Sequence, residues 1–420
     1  MKTFINKTAA AVIAAACAAS ASSAQSTQAN TGNSATTNTG DAIATSSDEE
    51  AVDYDAIAER VVMDAAGVQP GDVVLITGSP SELAMLEALV AQAEIAGGDV
   101  ITTVNLPNAY HKAIMEAPAE NLSTPPTGYL ALHEAVDVFI NATAIDDPGL
   151  FSDVPEERIN LVREADKPLA EQFATLRARS VDVGQAGGIP TKAYAESVGA
   201  DYGAMRSMFF GALQVSPETI SARGSAIQDT MESGTAVTVT SPAGTDLSFT
   251  LADKPSRVSS GRAADNDVGE GIASAYLPAG DFYACIAPES VSGTLVAPSA
   301  SFRGTKLKDI SMTFAEGEMT AMSAAQGQAT LENYFDSLDA PSKKLSVINI
   351  GLNPESHMLD GSSYRSWEMA GMTTLVLGNA VWAGCDNLAE GGFSLHLDGT
   401  TVTAEDTTVV EAGALATATD

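Results

Sequence analysis

Basic residues are scarce in this sequence: 21 lysines and arginines stand against 54 aspartates and glutamates, which gives a formal net charge of −33. A nucleic acid or an anionic lipid surface would repel such a chain, so we expect neither as a partner. Histidine is scarce as well, and its four residues leave little room for a His-rich metal cage. The excess of acid otherwise indicates a solubilising surface.

Cysteine and long apolar runs are also in short supply. Three cysteines exclude a disulfide framework. Residues 9–21 are small and apolar, follow Lys2 and Lys7, and precede the small residues 22–24. This is the pattern of a secretory signal peptide, and the stretch is shorter than the ~20 residues of a membrane span. We predict an exported protein, periplasmic or extracellular, from which residues 1–24 are removed.

Cys17 offers an alternative processing site. It follows three alanines and can be the acylated first residue of a lipoprotein, which would make a lipid anchor the protein's only contact with a membrane. Residues 25–50, rich in Ser, Thr, Ala, Asn, Gln and Gly, have too little apolar surface to fold. They are predicted to form a disordered tether.

Residues 51–185 alternate between helical and strand patterns. Apolar spacing predicts helices at 54–66 and 83–95, and buried strands at 73–76, 99–104 and 136–141. This order is typical of a parallel, doubly wound sheet, so the N-terminal domain is predicted to be Rossmann-like α/β. The turn at 77–80 (TGSP) lacks the glycine spacing of a dinucleotide-binding loop, which disfavours that ligand.

Residues 186–415 have a different texture. After a helix at 216–232, short segments rich in Thr, Val and Ser alternate with Gly and Pro turns, and predict strands at 236–240, 247–251, 293–297, 310–314 and 346–350. The fold class predicted for the whole body is therefore α/β, with a Rossmann-like N-terminal domain followed by a β-rich α+β C-terminal domain.

Candidate metal ligands lie in this second half. Asp281 directly follows a tight turn at 277–280, and His396 and Asp398 are two residues apart, hence on one face of a strand. Imidazole and carboxylate groups are the ligands of catalytic divalent ions. Asp281, His396 and Asp398 are therefore the candidate metal site.

Several short motifs occur in an order that resembles the aminopeptidase T family of two-metal exopeptidases. They are PGDVVLI at 70–76, PTKA at 190–193, GTDL at 244–247, LPAGD at 277–281, SGT at 292–294, IGLNP at 350–354 and HLDG at 396–399. The resemblance spans nearly the whole body. It implies an N-terminal α/β domain, a β-rich C-terminal domain, a homodimer and two divalent ions.

The family's ligand set is only partly matched. Asp281 stands where the family has glutamate, and His396 and Asp398 match in type, but Val347 and Thr374 stand where the family has glutamate and histidine. Valine cannot bind a hard cation, and threonine is a poor substitute for imidazole. The matching residues suffice for one ion at most, whereas the resemblance implies two. The expected cofactor is therefore one or two divalent ions of zinc, cobalt or manganese.

Weaker candidates lie nearby in the sequence. Glu368 is one residue from the family's second glutamate position, and His357 and Asp360 follow the IGLNP motif. Cys285 and Cys385 flank the segments that carry the candidate ligands, so they are either a disulfide that braces the cleft or, for one of them, a thiolate ligand.

Three functions follow. The first is an exported metallo-aminopeptidase that removes N-terminal residues from peptides. The second is a catalytically inactive relative of the same fold that binds a peptide or small molecule or acts as a scaffold. The third, a periplasmic solute-binding module, fits two domains and export but leaves the ordered motifs unexplained.

Overall fold

The computed structural model describes residues 52–184, 188–232, 234–266, 271–302 and 305–416. The predicted signal peptide, the lipidation candidate Cys17 and the predicted tether lie outside these residues. Among the helices in the described ranges, none is long and apolar enough to cross a membrane.

The first layer is a parallel sheet. It contains β1 (Val73–Gly78), β2 (Asp99–Val104), β3 (Val138–Ala142), β4 (Arg179–Val183) and β8 (Ala273–Leu277), in the order β2-β1-β3-β4-β8. Its central strands are buried, as the near-continuous apolar runs of a sheet covered on both faces require. This sheet confirms the predicted Rossmann-like layer.

Helices accompany this sheet along the chain. They are α1 (Tyr54–Glu59, continued by a π-helical turn at Arg60–Ala65), α2 (Leu83–Ile95), α3 (Pro107–Glu116), α4 (Ala119–Leu122), α5 (Thr127–His133), α6 (Glu156–Ala165) and α7 (Lys167–Thr175). The residues of α2 that pack inwards, Met85 and Leu89, share a core with Val74 and Ile76 of β1.

The parallel sheet takes one of its strands from beyond residue 185. Strand β8 pairs with β4 over 273–277, so the chain returns to the first layer after it has started the β-rich half. The predicted domain boundary at 185 stays a prediction, but the first layer extends past it.

Three helices connect the two halves: α8 (Lys192–Val198), α9 (Tyr202–Gln214) and α10 (Pro217–Gln228). The Ser216 side chain accepts a hydrogen bond from the Thr219 N–H, and Pro217 occupies the first turn, as the sequence predicts for this helix start. The helix ends at Gln228, earlier than the predicted 232.

The β-rich half contains two further sheets. The larger, called here the long sheet, has the order β12-β11-β10-β6-β5-β16-β17-β18. Its strands are β5 (Ala236–Thr240), β6 (Asp246–Thr250), β10 (Ser292–Phe302), β11 (Thr305–Ala315), β12 (Glu318–Ser323), β16 (Thr401–Ala404), β17 (Thr407–Glu411) and β18 (Ala414–Leu415). The helix α11 (Gln328–Asp336) follows β12 in the chain and packs its apolar residues into the same core.

The smaller sheet, called here the site sheet, is antiparallel with the order β15-β14-β13-β9-β7. Its strands are β7 (Arg257–Ser259), β9 (Asp281–Cys285), β13 (Leu345–Gly351), β14 (Thr373–Gly378) and β15 (Gly392–Leu397). One face packs Phe282 and Ile348 into the main core that it shares with the long sheet. Because side chains alternate along a strand, the other face carries Tyr283, Asn349 and their neighbours.

Candidate functional site

The second face of the site sheet collects the residues that the sequence analysis singled out. Pairing across the strands aligns Tyr283 with Asn349, Asn349 with Thr374, and Thr374 with His396. Asp281 begins β9, two residues before Tyr283 and therefore on the same face. Polar groups from four neighbouring strands thus line one surface.

His396 is held as a neutral imidazole. Its Nδ1 lies 2.7 Å from the Thr374 hydroxyl, and its ring packs edge-on against Trp367 with a centroid distance of 5.6 Å. Burial lowers the pKa of His396 to about 4, because desolvation outweighs the attraction of the Asp398 carboxylate. The Thr374 hydroxyl therefore occupies one of the two ring nitrogens.

Asp398 is paired with an arginine that the sequence analysis did not single out. Arg365 Nε donates to Oδ1 of Asp398 at 2.7 Å, and Nη2 donates to Oδ2 at 2.6 Å. Both carboxylate oxygens therefore face one guanidinium in a bidentate pair, which is the strongest common geometry for this kind of contact. The Nη1 group of Arg365 donates to the carbonyls of Ser362 and Tyr364 at 3.0 and 2.8 Å.

Asp281 lies at the edge of β9 in a poorly solvated position. Its Oδ2 accepts a hydrogen bond of 2.8 Å from the Asn349 amide. Desolvation, followed by the charge of Glu368, raises the pKa of Asp281 to about 7, against the opposing effect of hydrogen bonds from Asn349 and Ser259. Near neutral pH both the protonated and the ionised form of this carboxyl group are populated.

Glu368 is buried, with 1% of its surface exposed. Its Oε1 accepts a hydrogen bond from the Ser356 hydroxyl at 2.9 Å, and Oε2 accepts one from Ser366. Gly351 sets its position, because a Cβ there would lie 1.9 Å from the Met369 carbonyl oxygen. The residue at 351 must therefore be glycine for the segment that carries Glu368 to lie against β13.

Val347 and Thr374 stand where the family has metal ligands, but neither can take over that role. Val347 is fully buried and packs with Cys285, Val376 and Cys385 in an apolar cluster beside the site. Across the described ranges no group of three or more His, Cys, Asp or Glu residues is arranged to hold a metal ion. Asp398 is paired with Arg365, and Nδ1 of His396 lies against the Thr374 hydroxyl. The assignment of Asp281, His396 and Asp398 as metal ligands stays a prediction.

The structure places the weaker metal-ligand candidates differently. Glu368 lies within electrostatic range of Asp281, so the structure brings these two carboxylates together. His357 and Asp360 are exposed on the loop after the IGLNP motif and are part of no metal-binding group in the described structure. Arg365 and Asn349 are the site residues that sequence reasoning missed. One signal could have identified Arg365: it is a basic residue three positions before Glu368, in a chain that has few basic residues.

Cys285 and Cys385 form a disulfide, with their Cα atoms 5.6 Å apart. In this structure neither sulfur is a thiolate, so neither acts as the soft metal ligand considered as the alternative. The bridge joins β9, the strand of Asp281, to the loop between β14 and β15. That loop carries Trp382, whose ring lies 5.8 Å from Tyr283 and 6.0 Å from Trp367 by centroids.

Comparison of structures identifies relatives of the fold. Aminopeptidase T (AmpT) from Thermus thermophilus aligns with a TM-score of 0.60 at 16% identity, over 86% of this chain and 98% of that one. A 2,5-dihydroxypyridine dioxygenase from Pseudomonas putida KT2440 aligns with a TM-score of 0.54 at 16% identity, over 87% of this chain and 97% of that one. At these identities the likeness shows the fold, and the fold is shared by proteins with two different named activities.

Comparison of sequences identifies the family. No protein of curated function matches the chain. The model of the thermophilic metalloprotease family M29 matches residues 52–356, which is most of the described body and includes Asp281, Val347 and Asn349. The match ends before Arg365 and His396. The expected resemblance to aminopeptidase T is confirmed, and the chain belongs to the thermophilic metalloprotease family M29.

Proposed function

We propose that this protein binds a peptide or another small molecule on the second face of the site sheet, without a catalytic metal centre. The observation that carries the proposal is the bidentate Arg365–Asp398 pair, which places a guanidinium on the carboxylate that a metal ion would need. Val347 and Thr374, neither of them a carboxylate or an imidazole, complete the departure from the family's ligand set.

The same face offers groups that recognise a ligand. Asp281 and Glu368 are two carboxylates close enough to repel each other, and a ligand's ammonium group between them would relieve that repulsion. The Asn349 Oδ1 atom is buried and has no hydrogen-bond partner within the described structure, so it can accept from a ligand donor.

The loop that the disulfide braces presents apolar side chains, and the ring of one of them, Trp382, lies 5.8 Å from that of Tyr283 by centroids. Trp382, Val381 and Leu388 are exposed by 36, 43 and 47% in the loop that the disulfide braces. Such a rim beside buried carboxylates fits a ligand that combines a protonated amine with an apolar group. A peptide with an apolar N-terminal residue has this combination.

A second candidate is the family's own activity. Membership of the M29 metalloproteases supports a peptidase function and a divalent metal cofactor in general. Asp281, His396 and Asp398 lie on or directly beside strands of one sheet, which favours this candidate. A bound ion would supply Lewis-acid chemistry, but the residues present do not fit it while Arg365 holds Asp398.

Two assays on one preparation separate the candidates. The chain contains two tryptophans, Trp367 and Trp382, and both lie at the site, so intrinsic fluorescence reports binding there. We expect leucine-containing dipeptides to change the emission, and we expect no hydrolysis of amino-acid anilides after dialysis against zinc, cobalt or manganese. Metal-dependent hydrolysis that His396→Ala abolishes would favour the aminopeptidase instead.

Export and assembly are part of the proposal. A disulfide between Cys285 and Cys385 is consistent with an oxidising compartment, which supports a periplasmic or extracellular location. Mass spectrometry of the mature protein distinguishes cleavage after Ala24 from acylation at Cys17. Light scattering on the purified protein tests the homodimer that the family resemblance implies.

A further inference from the structure

Arg257 lies on the same face of the site sheet as Asp281. It belongs to the edge strand β7 and pairs with Tyr283 of β9, while Ser259 pairs with Asp281. Val258, between Arg257 and Ser259, packs against the main core, so its two neighbours lie on the second face. The strand register therefore places a cation two residues along the sheet from the Asp281 carboxylate.

The Arg257 side chain is partly exposed, and its guanidinium forms no hydrogen bond and no ion pair with any residue in the described ranges. It lies against the loop that the disulfide braces, because a Cβ built on Gly384 would be 3.6 Å from Nη2 and 3.8 Å from Nε. Burial raises the pKa of Tyr283, the Asp281 carboxylate adds to the rise and Arg257 opposes it, so both charges lie within electrostatic range of this hydroxyl. A guanidinium in this position can bind a carboxylate through two parallel hydrogen bonds.

The spacing of the two charges fits a short ligand. Residues of a strand are about 3.3 Å apart along its axis, so the backbone positions of Asp281 and Arg257 differ by about 7 Å along the sheet. An extended peptide advances about 3.3 to 3.6 Å per residue, so the two termini of a dipeptide are separated by a similar length. Tyr283 lies between the two positions, and the exposed Trp382 beside it is an apolar wall.

We propose that Arg257 binds the C-terminal carboxylate of a dipeptide whose ammonium group lies at Asp281 and Glu368. The inference rests on the proposed binding function and narrows its ligand from peptides in general to dipeptides with a free C-terminus. A longer peptide held by its ammonium group would carry its carboxylate past the guanidinium, because each further residue adds about 3.5 Å.

The test compares three ligands of the wild-type protein: leucyl-glycine, leucyl-glycinamide, which lacks the carboxylate, and leucyl-glycyl-glycine, which is one residue longer. Tryptophan fluorescence and isothermal titration calorimetry measure their affinities. We expect leucyl-glycine to bind about 10- to 100-fold tighter than either of the others, which is the range for hydrogen bonds to a charged group. In Arg257→Met the affinity for leucyl-glycine should fall by the same factor, and the affinity for the amide should not change.

Two further variants assign the effect. Arg262→Met removes a positive charge that is already paired with Glu218, so it is the matched control and should keep the preference for the free acid. Arg257→Lys keeps the charge and loses the planar fork, so it should keep part of the preference. The comparison of acid and amide on the wild type needs no variant, so it decides the question even if Arg257→Met is unstable.

The outcomes distinguish this inference from the proposed function. If the wild type binds the amide as tightly as the free acid, the inference is wrong, while binding at the site stands. A preference for the acid that Arg257→Met keeps, or that Arg262→Met loses to the same extent, also overturns it. Equal binding of leucyl-glycyl-glycine overturns the restriction to dipeptides. Binding of none of the three ligands overturns both the inference and the proposed function.

Discussion

Replacing Cys285 and Cys385 together by alanine removes the one cross-link of the described body. The two residues are separated by 100 positions, so the bridge closes a long loop and restricts the unfolded chain strongly. The chain-entropy relation gives about 4.7 kcal/mol for a loop of this length. Measured effects are commonly smaller, and we expect the free energy of unfolding to fall by about 3 to 5 kcal/mol.

The assay is urea unfolding of the oxidised protein and of the double alanine variant, followed by circular dichroism at neutral pH. Domains of ordinary stability unfold at a cost of about 5 to 15 kcal/mol, so the expected loss is a large shift of the midpoint. Dithiothreitol should lower the midpoint of the wild type and leave that of the variant unchanged. The reasoning is refuted if the two unfolding free energies differ by less than about 1 kcal/mol.

The remaining predictions concern packing and pH. His133 is 1% exposed among aromatic rings, both ring nitrogens lack a partner in the described structure, and burial lowers its pKa from 6.5 to about 4. As the pH falls, the unfolded chain therefore binds the proton before the folded protein does. The free energy of unfolding, complete above pH 6.5, should drop by about 2 kcal/mol near pH 5. His133→Phe should flatten that part of the plot of urea midpoint against pH, and an unchanged plot would contradict the assignment. Gly351→Ala places a Cβ 1.9 Å from the Met369 carbonyl oxygen. It should lower the free energy of unfolding in urea by about 1 to 3 kcal/mol and abolish the tryptophan response to dipeptides. Wild-type behaviour in both assays would refute the close approach. Arg206 and Glu82 form an ion pair of 2.7 Å whose side chains are 12 and 6% exposed. Arg206→Met leaves the buried Glu82 carboxylate without its cation and should lower the free energy of unfolding by about 3 to 5 kcal/mol. A shift in Tm too small to measure would refute a buried ion pair.

Local patterns in the sequence were enough to predict much of the fold. The helix predicted at 83–95 and the strand predicted at 236–240 have those bounds in the structure, because apolar periodicity and flanking turns are local signals. Of β10 and β11, the sequence predicted only 293–297 and 310–314, which pair with each other at the end of the hairpin remote from its turn, because the rest of each 11-residue strand alternates weakly. The return of β8 to the parallel sheet was not predicted, because strand pairing at long range leaves no local pattern.

The site was predictable in its acids and its histidine but not in its arrangement. Asp281, Glu368, His396 and Asp398 have side chains of a type that metal sites use, so composition and resemblance pointed to them. What the sequence could not reveal is that Arg365, 33 positions before Asp398, would pair with it. An ion pair of this kind depends on how a loop lies across a sheet, which is a property of tertiary packing.

The most direct test of the metal-free site is the metal content of the mature wild-type protein. Elemental analysis is carried out on the protein as purified and again after dialysis against zinc, cobalt and manganese, with Asp398→Asn as the control for adventitious surface ions. The account predicts no more metal in the wild type than in the control under any condition. One or two ions per chain that the control lacks would contradict it and would favour the metal-dependent aminopeptidase.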